Sequence, residues 1–219
     1  MIQPEHKAMN QFLNSALQSS NAEAPHGRVP MSYAHPKSRD SFRPLSQHGW
    51  DVLGASFRRH CRGGRDGLKL RTTTNAATGE VEARIVKCKI ADLHIFNPAG
   101  EYDTRISVNL EANLNLPSLG PDYASLSEDW PPGSSISPDR MKDRMSYAHL
   151  VYRVDLTMVS LPRGAGVAVA PKYELELEVQ AEVLREQMRR AAREEDHAFA
   201  DVVSGFLDNA TYLMRQRAA

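Results

Sequence analysis

The sequence predicts an α+β fold built around an antiparallel sheet that has one charged face and one apolar face. The clearest sign is residues 172–179, Lys-Tyr-Glu-Leu-Glu-Leu-Glu-Val, where three glutamates alternate with apolar residues. Alternate side chains of a strand share a face, so the three carboxylates form one row. Several other segments alternate in the same way with mixed charges, and two segments near the ends of the chain have apolar residues at helical spacing.

The row of glutamates carries an electrostatic cost. Same-face neighbours on a strand lie about 6.6 Å apart, and at an effective dielectric constant of about 20 each adjacent pair repels by roughly 2.5 kcal/mol. A divalent cation with facing basic side chains would relieve this repulsion. The alternative is an exposed edge strand whose acids are solvated and discourage aggregation.

In the first half of the chain, residues 4–18 have the spacing of a short amphipathic helix. Residues 19–66, rich in Ser, Pro, Arg and His, are predicted to be irregular. Strands follow through about residue 112, and their polar rows are Lys69, Arg71 and Thr73, then Lys87 and Lys89, then Arg105, Ser107, Asn109 and Glu111. Glu80 and Glu82 follow Thr78-Gly79 and are interpreted as the exposed start of a hairpin.

In the second half, residues 113–138 are rich in Pro and Ser with little periodicity, which predicts a long surface loop. Strands are predicted to resume from about 139 to 180. One helix is expected over most of 181–216, with a charged, solvated first part and an apolar docking face in its second part. The added polar rows are Arg140, Lys142 and Arg144, then Arg153, Asp155 and Thr157, then Glu174, Glu176 and Glu178.

Two architectures satisfy these rows. An open sheet would rest its apolar face on one central core and leave its charged face in water. A closed barrel would place the charges inside, shielded and mutually paired, because buried charges without partners cost several kcal/mol each. A tunnel lined by acids and bases would suit a metal-bound polyphosphate, since acids hold the metal while Arg and Lys bind phosphoryl oxygens. The alternation favours neither architecture over the other.

Composition narrows the function classes. The 219 residues fit one domain, residues 1–219, and carry 27 Lys plus Arg against 27 Asp plus Glu. That balance argues against a generic basic nucleic-acid binder. Cys61 and Cys88 are too few for a disulfide framework, and no His and Cys spacing suits structural zinc. We expect no membrane partner, because no apolar run reaches the length of a membrane helix.

Four segments, in order, carry a resemblance to a known family. The central one is Lys87-Cys-Lys-Ile-Ala-Asp-Leu-His-Ile-Phe-Asn-Pro-Ala-Gly-Glu-Tyr-Asp-Thr-Arg-Ile-Ser-Val-Asn-Leu-Glu111. It resembles the middle of a fungal RNA 5′-triphosphatase, the beta subunit of the mRNA-capping apparatus and a triphosphate tunnel metalloenzyme. Residues 5–15 resemble that family's early helix, Arg140–Val159 its basic strand and Arg-x-Asp-x-Thr strand, and Tyr173–Val179 its Glu-x-Glu-x-Glu strand. The resemblance implies an antiparallel β-barrel, the triphosphate tunnel, with a charged interior and helices packed outside.

The resemblance also implies a departure from the family pattern. The family's first tunnel strand carries a Glu-x-Glu pair that supplies two metal-binding carboxylates, and it precedes the segment that begins here. Glu80-Val-Glu82 imitates this pair, but its order places it in a later hairpin. We therefore expect a barrel that is incomplete at the N terminus, an N-terminally truncated domain, and little or no activity for these 219 residues alone.

The activity implied is metal-dependent hydrolysis of the γ-phosphate at the 5′-triphosphate end of nascent mRNA. This reaction gives a 5′-diphosphate end, is the first step of capping, and belongs to the nucleus. Glu178 is expected to bind Mg²⁺ or Mn²⁺ directly, because its ligands would be oxygens, while Glu174 and Glu176 hold the metal's water or brace basic side chains. The residues expected to bind the γ-phosphate are Arg71, Lys142 and Arg144, and those of the tunnel wall are Lys87, Glu111, Arg140, Arg153, Asp155 and Thr157.

Several readings stay open. Arg153, Asp155 and Glu111 can equally form ion pairs across the barrel without touching substrate. Asp40, in a His-x-x-x-x-Asp-Ser-Phe segment that resembles the family's, suits local hydrogen bonding at least as well as a direct role. The chain can be a tunnel-type phosphohydrolase acting on nucleoside triphosphates or polyphosphate, or a non-catalytic interaction subunit that keeps the fold. The expected partners are 5′-triphosphate RNA, the RNA guanylyltransferase (the capping enzyme alpha subunit) and a second copy of the chain as a homodimer.

Overall fold

The computed structural model describes residues 1–98, 102–115, 122–131, 139–161 and 169–216. Its sheet contains eight antiparallel strands. The strands are β1 (Ser32–Ala34), β2 (Lys37–Pro44), β3 (Lys69–Asn75), β4 (Val81–Ile95), β5 (Thr104–Asn113), β6 (Arg140–His149), β7 (Tyr152–Ser160) and β8 (Lys172–Val179). The helices are α1 (Gln3–Glu23), α2 (Gln47–Val52), α3 (Ala55–Arg58), α4 (Ala181–Ala192) and α5 (Phe199–Met214).

The sheet is a curled half-barrel. Its strand order is β5-β4-β3-β2-β6-β7-β8, with β1 paired to β6. This path is linear, so within the described residues β5 and β8 form two open edges. A β-bulge between Lys89 and Ala91 shifts the β4–β5 register by one residue, so the even-numbered residues of β4 take over the inner face beyond it. The expectation of an incomplete antiparallel barrel is confirmed.

Two separate hydrophobic cores cover the outer face of the sheet. The first packs β3 and β4 against α2, α3 and residues 122–131, and includes Leu53, Leu70, Val86, Cys88 and Leu126. The second packs β6, β7 and β8 against α1 and α5, and includes Met9, Leu13, Tyr147, Leu156 and Leu213. Because the apolar faces point outward to two cores rather than meeting in one, the charged rows are left on the concave inner face.

Helix α5 lies close against β7 at a glycine. The Tyr152 hydroxyl donates to the Val202 carbonyl at 3.0 Å. A Cβ added to Gly205 would lie 2.2 Å from the Tyr152 hydroxyl oxygen, so only glycine allows this approach. The prediction that the C-terminal region packs on an outer apolar face is therefore confirmed for α5.

Three sequence predictions of elements are corrected. Residues 19–66 are not irregular, because they hold the end of α1, two strands and two helices. The single helix expected over 181–216 is two helices, and Glu194 between them has a φ of 58°. Within the segment 113–138, predicted as a surface loop, Leu114 and Leu126 are buried in the first core, while residues 116–121 and 132–138 lie outside the described residues.

The hairpin assigned to Glu80 and Glu82 is confirmed. Gly79 has a φ of 75°, and Glu80 and Glu82 are exposed at the start of β4. The Asn75 amide donates to the Glu80 carbonyl at 2.8 Å and closes the turn. These two acids therefore lie at a hairpin tip, away from the β8 acid row.

Candidate functional site: the concave charged face

Strand register brings the predicted site residues of β6, β7 and β8 onto one face. Thr157 pairs with Arg144 on one side and Glu174 on the other. On the same face of β7, Asp155 pairs with Glu176 and Arg153 pairs with Glu178. Because directly paired residues of adjacent strands point to the same side, this part of the face alternates cations and acids across the strands.

The same face continues through the other strands. Asp40 in β2 pairs with Arg140 of β6 and with Thr73 of β3. Phe42, two residues after Asp40 in β2, pairs with Arg71 of β3. Arg71 also pairs with Ile85 of β4, so Ile85 and Lys87, two residues further on, lie on the same face. Lys87 in turn pairs with Glu111 of β5. All the predicted site residues therefore share the concave face, which confirms that the Glu174–Glu178 and Arg140–Arg144 rows point to the same side.

Lys142 is held by a buried carboxylate. Its Nζ lies 2.8 Å from Asp40 Oδ2, and Asp40 is only 2 % exposed. Thr73 Oγ1 donates to Asp40 Oδ1 at 2.6 Å. Burial by itself would raise the pKa of Asp40, but the hydrogen bonds from Lys142 and Thr73 and the nearby Arg71 charge lower it. Asp40 is thus ionised at neutral pH and fixes the Lys142 ammonium on the face.

Arg144 is positioned in a similar way. Its Nη1 lies 3.1 Å from Oδ2 of Asp155, which is fully buried, and its Nη2 lies 4.0 Å from Glu176. Arg153 Nε lies 3.3 Å from the same Asp155 oxygen, and its guanidinium also hydrogen-bonds Glu178. Asp155 therefore anchors two guanidinium groups, and both ends of this chain of charges reach the β8 acid row.

Four buried polar atoms on this face lack a hydrogen-bond partner among the described residues, and two of them, Oδ2 of Asp40 and Oδ2 of Asp155, lie in ion pairs instead. The other two are Arg71 Nε and Thr157 Oγ1. Both belong to side chains that register places on the concave face, and each buried polar atom without a partner costs roughly 1–3 kcal/mol. A ligand or water in the groove would satisfy them, which fits an anion near Arg71.

Shielding on the face falls toward its edge. The expectation that the Glu174–Glu178 and Arg140–Arg144 rows are largely shielded is correct for Lys142 and Arg144, whose side chains are 15 % and 25 % exposed. It is wrong for Glu176, whose side chain is 45 % exposed, and for Glu178 and Arg140. The reason is that β8 is an open edge, so in the described chain no strand covers the acid row from the far side. The paired charges in the middle of the sheet are covered by their neighbours.

The acid row keeps its repulsion. Desolvation raises the pKa of Glu176, the Arg144 charge lowers it, and the Glu178 and Glu174 charges raise it again, with a net rise. Within the described residues no group of three or more His, Cys, Asp or Glu side chains is arranged to hold a metal ion. Glu174, Glu176 and Glu178 therefore supply oxygen donors in a row, and they fit part of a cation's coordination sphere rather than all of it.

Asp40 is among the residues whose role the sequence left open. Its neighbours in β2 are polar on both faces, so the strand lacks the apolar alternation that marks the others. Only the Asp-Ser-Phe segment pointed to it.

No helix of the described chain is both long and apolar enough to cross a membrane.

A family model described as "mRNA capping enzyme, beta chain" matches residues 1–219. The mRNA-capping enzyme subunit beta of Cryptococcus neoformans is 33% identical over 212 residues, which is 96% of this chain and 44% of that protein. The corresponding Schizosaccharomyces pombe subunit is 28% identical over 219 residues, 100% of this chain and 61% of that protein. The chain thus spans about half the length of these relatives.

A solved structure agrees with the sequence comparisons. The S. pombe Pct1 RNA triphosphatase, determined in complex with the Spt5 CTD, superposes with a TM-score of 0.70 and 27% sequence identity. The match covers 99% of this chain and 70% of that one.

Proposed function

Because the chain belongs to the family of the mRNA capping enzyme beta chain, we propose that its concave face forms most of a tunnel for the 5′-triphosphate end of RNA. The activity proposed is removal of the γ-phosphate from nascent mRNA, leaving a 5′-diphosphate end. Support comes from the family match over the whole chain and from the S. pombe relative, which is an RNA triphosphatase.

The observation that carries this proposal is the pair of anchored cations, Lys142 and Arg144. Each is fixed by a buried carboxylate, Asp40 or Asp155, at 2.8 and 3.1 Å. Phosphoryl transfer depends mainly on positioning and on neutralising charge, so cations that need not reorganise are well suited to it. Arg71, with a buried nitrogen that lacks a partner in the described chain, is a third cation for phosphoryl oxygens.

We propose Mg²⁺ or Mn²⁺ as the cofactor, held in part by Glu178 and Glu176. Carboxylate oxygens are the ligands these ions prefer, and the raised pKa of Glu176 reflects a repulsion that a cation would relieve. When bound, such an ion neutralises phosphate charge and polarises a phosphoryl oxygen. Glu174 lies next to Glu176 and would hold a metal-bound water.

Three of the wall residues, Arg153, Lys87 and Glu111, pair with charged neighbours rather than with substrate. Arg153 bridges Asp155 and Glu178, so it holds the acid row relative to Arg144. Lys87 and Glu111 form an ion pair of 3.3 Å near the opposite edge. The partners we propose are 5′-triphosphate RNA, the RNA guanylyltransferase and a second copy of the chain, with the nucleus as the place of action.

A second candidate is a tunnel hydrolase for nucleoside triphosphates or inorganic polyphosphate. It is favoured by the fact that every proposed site residue is a charged group or a hydroxyl, which recognises phosphate rather than a base. A third is a non-catalytic subunit, favoured by the acid row that supplies only part of a metal site.

The test is phosphate release from 5′-triphosphate RNA, measured with the 219-residue chain and with a version lengthened by adding a Glu-x-Glu strand of the family before residue 1. The lengthened protein should release phosphate only with Mg²⁺ or Mn²⁺. In it, Arg144→Ala and Glu178→Ala should each lose at least tenfold in rate, a barrier increase of about 1.4 kcal/mol.

The matched control is Arg185→Ala, which removes an exposed cation of α4 paired with Glu182. It should leave the rate unchanged. Near-normal rates in the Arg144 and Glu178 variants would refute the role given to the concave face. Strong metal-dependent release by the 219-residue chain would refute the expectation that its acid row is only a partial metal site.

A further inference from the structure

Three cations at one end of the concave face lie outside the ion pairs of the described residues. Lys69, Arg71 and Arg140 form no ion pair of 4.0 Å or less there, although Arg71 is near enough to Asp40 for its charge to act on that carboxylate. By contrast, Lys142 and Arg144 each contact a buried aspartate. Arg71 also has a buried Nε without a hydrogen-bond partner in the described chain. Cations that no acid neutralises attract anions, so we expect this end of the groove to attract phosphate more strongly than the part of the face where acids pair with the cations.

Two aromatic rings lie among these cations. Phe42 is on the charged face, since it pairs with Arg71. Trp130 reaches this face because residues 127–130 run beside β2 past Asp40, where the pairing of β2 with β6 stops. Ser127 bridges Leu45, and the Glu128 amide donates to the Pro44 carbonyl at 2.9 Å. The Trp130 indole N–H then donates to the Phe42 carbonyl at 3.0 Å, which fixes the orientation of its ring.

Cations and rings alternate in this cluster. Lys69 Nζ lies 4.8 Å from the centre of the Trp130 ring, and Arg140 Cζ lies 5.1 Å from the centre of the Phe42 ring. Lys69 and Arg140 are exposed, and both rings are half-buried. A cation–π contact by itself is a common surface feature. Here, however, two rings interrupt a row of charged residues, and neither Lys69 nor Arg140 forms an ion pair with an acid of the described chain.

We propose that Phe42 and Trp130 form a platform on which the first nucleobase of the RNA stacks, while Lys69 and Arg140 bind the phosphate next to it. This proposal rests on the proposed function, since it places the base relative to the triphosphate. Along β6 the cations run from Arg140 at the platform to Arg144 near Glu176. The γ-phosphate then lies deepest in the groove, and the nucleoside lies at the Trp130 end.

Such a platform gives a preference that charge alone cannot give. Stacking is tolerant of sequence because every base has a π-face, and combined aromatic and basic contacts are how proteins bind single strands without sequence readout. The platform therefore selects a triphosphate that carries a nucleobase over inorganic tripolyphosphate, which offers the same phosphates without a base.

Fluorescence of Trp130 provides the test. The chain contains two tryptophans, and Trp50 is partly buried against the first core, where Arg58 lies over its ring. A Trp50→Phe variant leaves Trp130 as the reporter. Titration with a 5′-triphosphate oligoribonucleotide or with GTP should quench this emission, whereas inorganic tripolyphosphate should compete for binding without quenching. Equal quenching by all three ligands would overturn the proposal.

Affinity variants separate the platform from the phosphate site. Trp130→Ala should weaken binding of the oligoribonucleotide at least about fivefold and leave the Kd for tripolyphosphate unchanged. Trp130→Phe, which keeps a ring, should retain most of the RNA affinity, and circular dichroism should show that both variants are folded. If Trp130→Ala binds RNA as the wild type does, the platform is wrong while the phosphate site stands. If the wild type binds neither RNA nor tripolyphosphate, the proposed function itself fails.

Discussion

Breaking the Asp40–Lys142 pair should destabilise the protein far more than breaking a similar pair at the edge. Asp40→Asn keeps the size of the side chain but removes its charge, leaving the ammonium of Lys142, whose side chain is 15 % exposed, without a counter-charge. Removing one partner of a buried pair costs about 3–5 kcal/mol. Because Lys142 keeps some contact with water and asparagine can still accept a hydrogen bond, we expect the lower end, about 3 kcal/mol.

The matched control is Glu111→Gln, which breaks the Lys87–Glu111 pair of 3.3 Å on the same face. Those side chains are 51 % and 44 % exposed, and exposed pairs contribute about 0–1 kcal/mol. Urea denaturation measures both free energies of unfolding. At about 2–4 °C per kcal/mol for a chain of this size, Asp40→Asn should also lower Tm by roughly 6–12 °C.

The effect of Asp40 has a defined pH dependence. Its pKa is lowered in the folded state, so its stabilising contribution is complete above the unfolded pKa of about 3.9 and is lost as pH falls through the lower folded pKa. The difference between wild type and Asp40→Asn should therefore be constant from pH 7 to pH 5 and shrink below pH 4. Equal destabilisation by the two variants, or a difference that grows in acid, would refute the reasoning.

Three further perturbations have definite outcomes. Glu176→Gln should be more stable than the wild type at pH 7 and equal to it at low pH in metal-free urea titrations, because an acid with a raised folded pKa costs stability as pH rises through that pKa; a less stable variant at pH 7 would contradict this. Gly205→Ala should cost about 1–3 kcal/mol in thermal unfolding, since its Cβ would lie 2.2 Å from the Tyr152 oxygen; a neutral result would show that α5 is not packed this closely. Leu156→Ala, in a fully buried position, should cost about 2–5 kcal/mol without changing tripolyphosphate affinity; altered affinity in a folded variant would mean that the two faces of β7 are not independent.

The faces of the strands could be predicted from the sequence because alternation is a local property. Glu174 and Glu176 must share a side in any strand, and so must Lys142 and Arg144. That these rows meet on one concave face depends on strand order and curl, which the alternation left open and the family resemblance supplied. The outcome agrees with the barrel rather than with a flat sheet over one core.

Strand β2 could not be predicted in the same way. Ser38 and Asp40 lie on its inner side, and Arg39, Ser41 and Arg43 on its outer side, so no apolar face marks it. The strand is held by the ladders to β3 and β6, which are contacts between distant residues. Tertiary pairing therefore decides the structure where local pattern is silent.

The same limit applies to the aromatic platform. Trp130 comes from a segment rich in Pro and Ser, and nothing in its local sequence indicates that its indole reaches the Phe42 carbonyl. The break between α4 and α5 is also nonlocal in part, because Gln187 of α4 accepts a hydrogen bond from the Ala198 amide. Charged residues at 193–197 offer no apolar side chain to hold one continuous helix on the sheet.

The central claim is that the concave face binds a triphosphate chain, and calorimetric titration with inorganic tripolyphosphate in a magnesium buffer tests it most directly. Arg71→Ala removes a concave-face cation that forms no ion pair of 4.0 Å or less in the described chain, so Asp40, whose pKa its charge helps to lower, keeps its ion pair with Lys142. Arg185→Ala removes an exposed cation on α4 as the control. We expect the Kd to be at least tenfold weaker for Arg71→Ala and unchanged for Arg185→Ala. Equal Kd values for the wild type and Arg71→Ala, or no binding by the wild type, would contradict it.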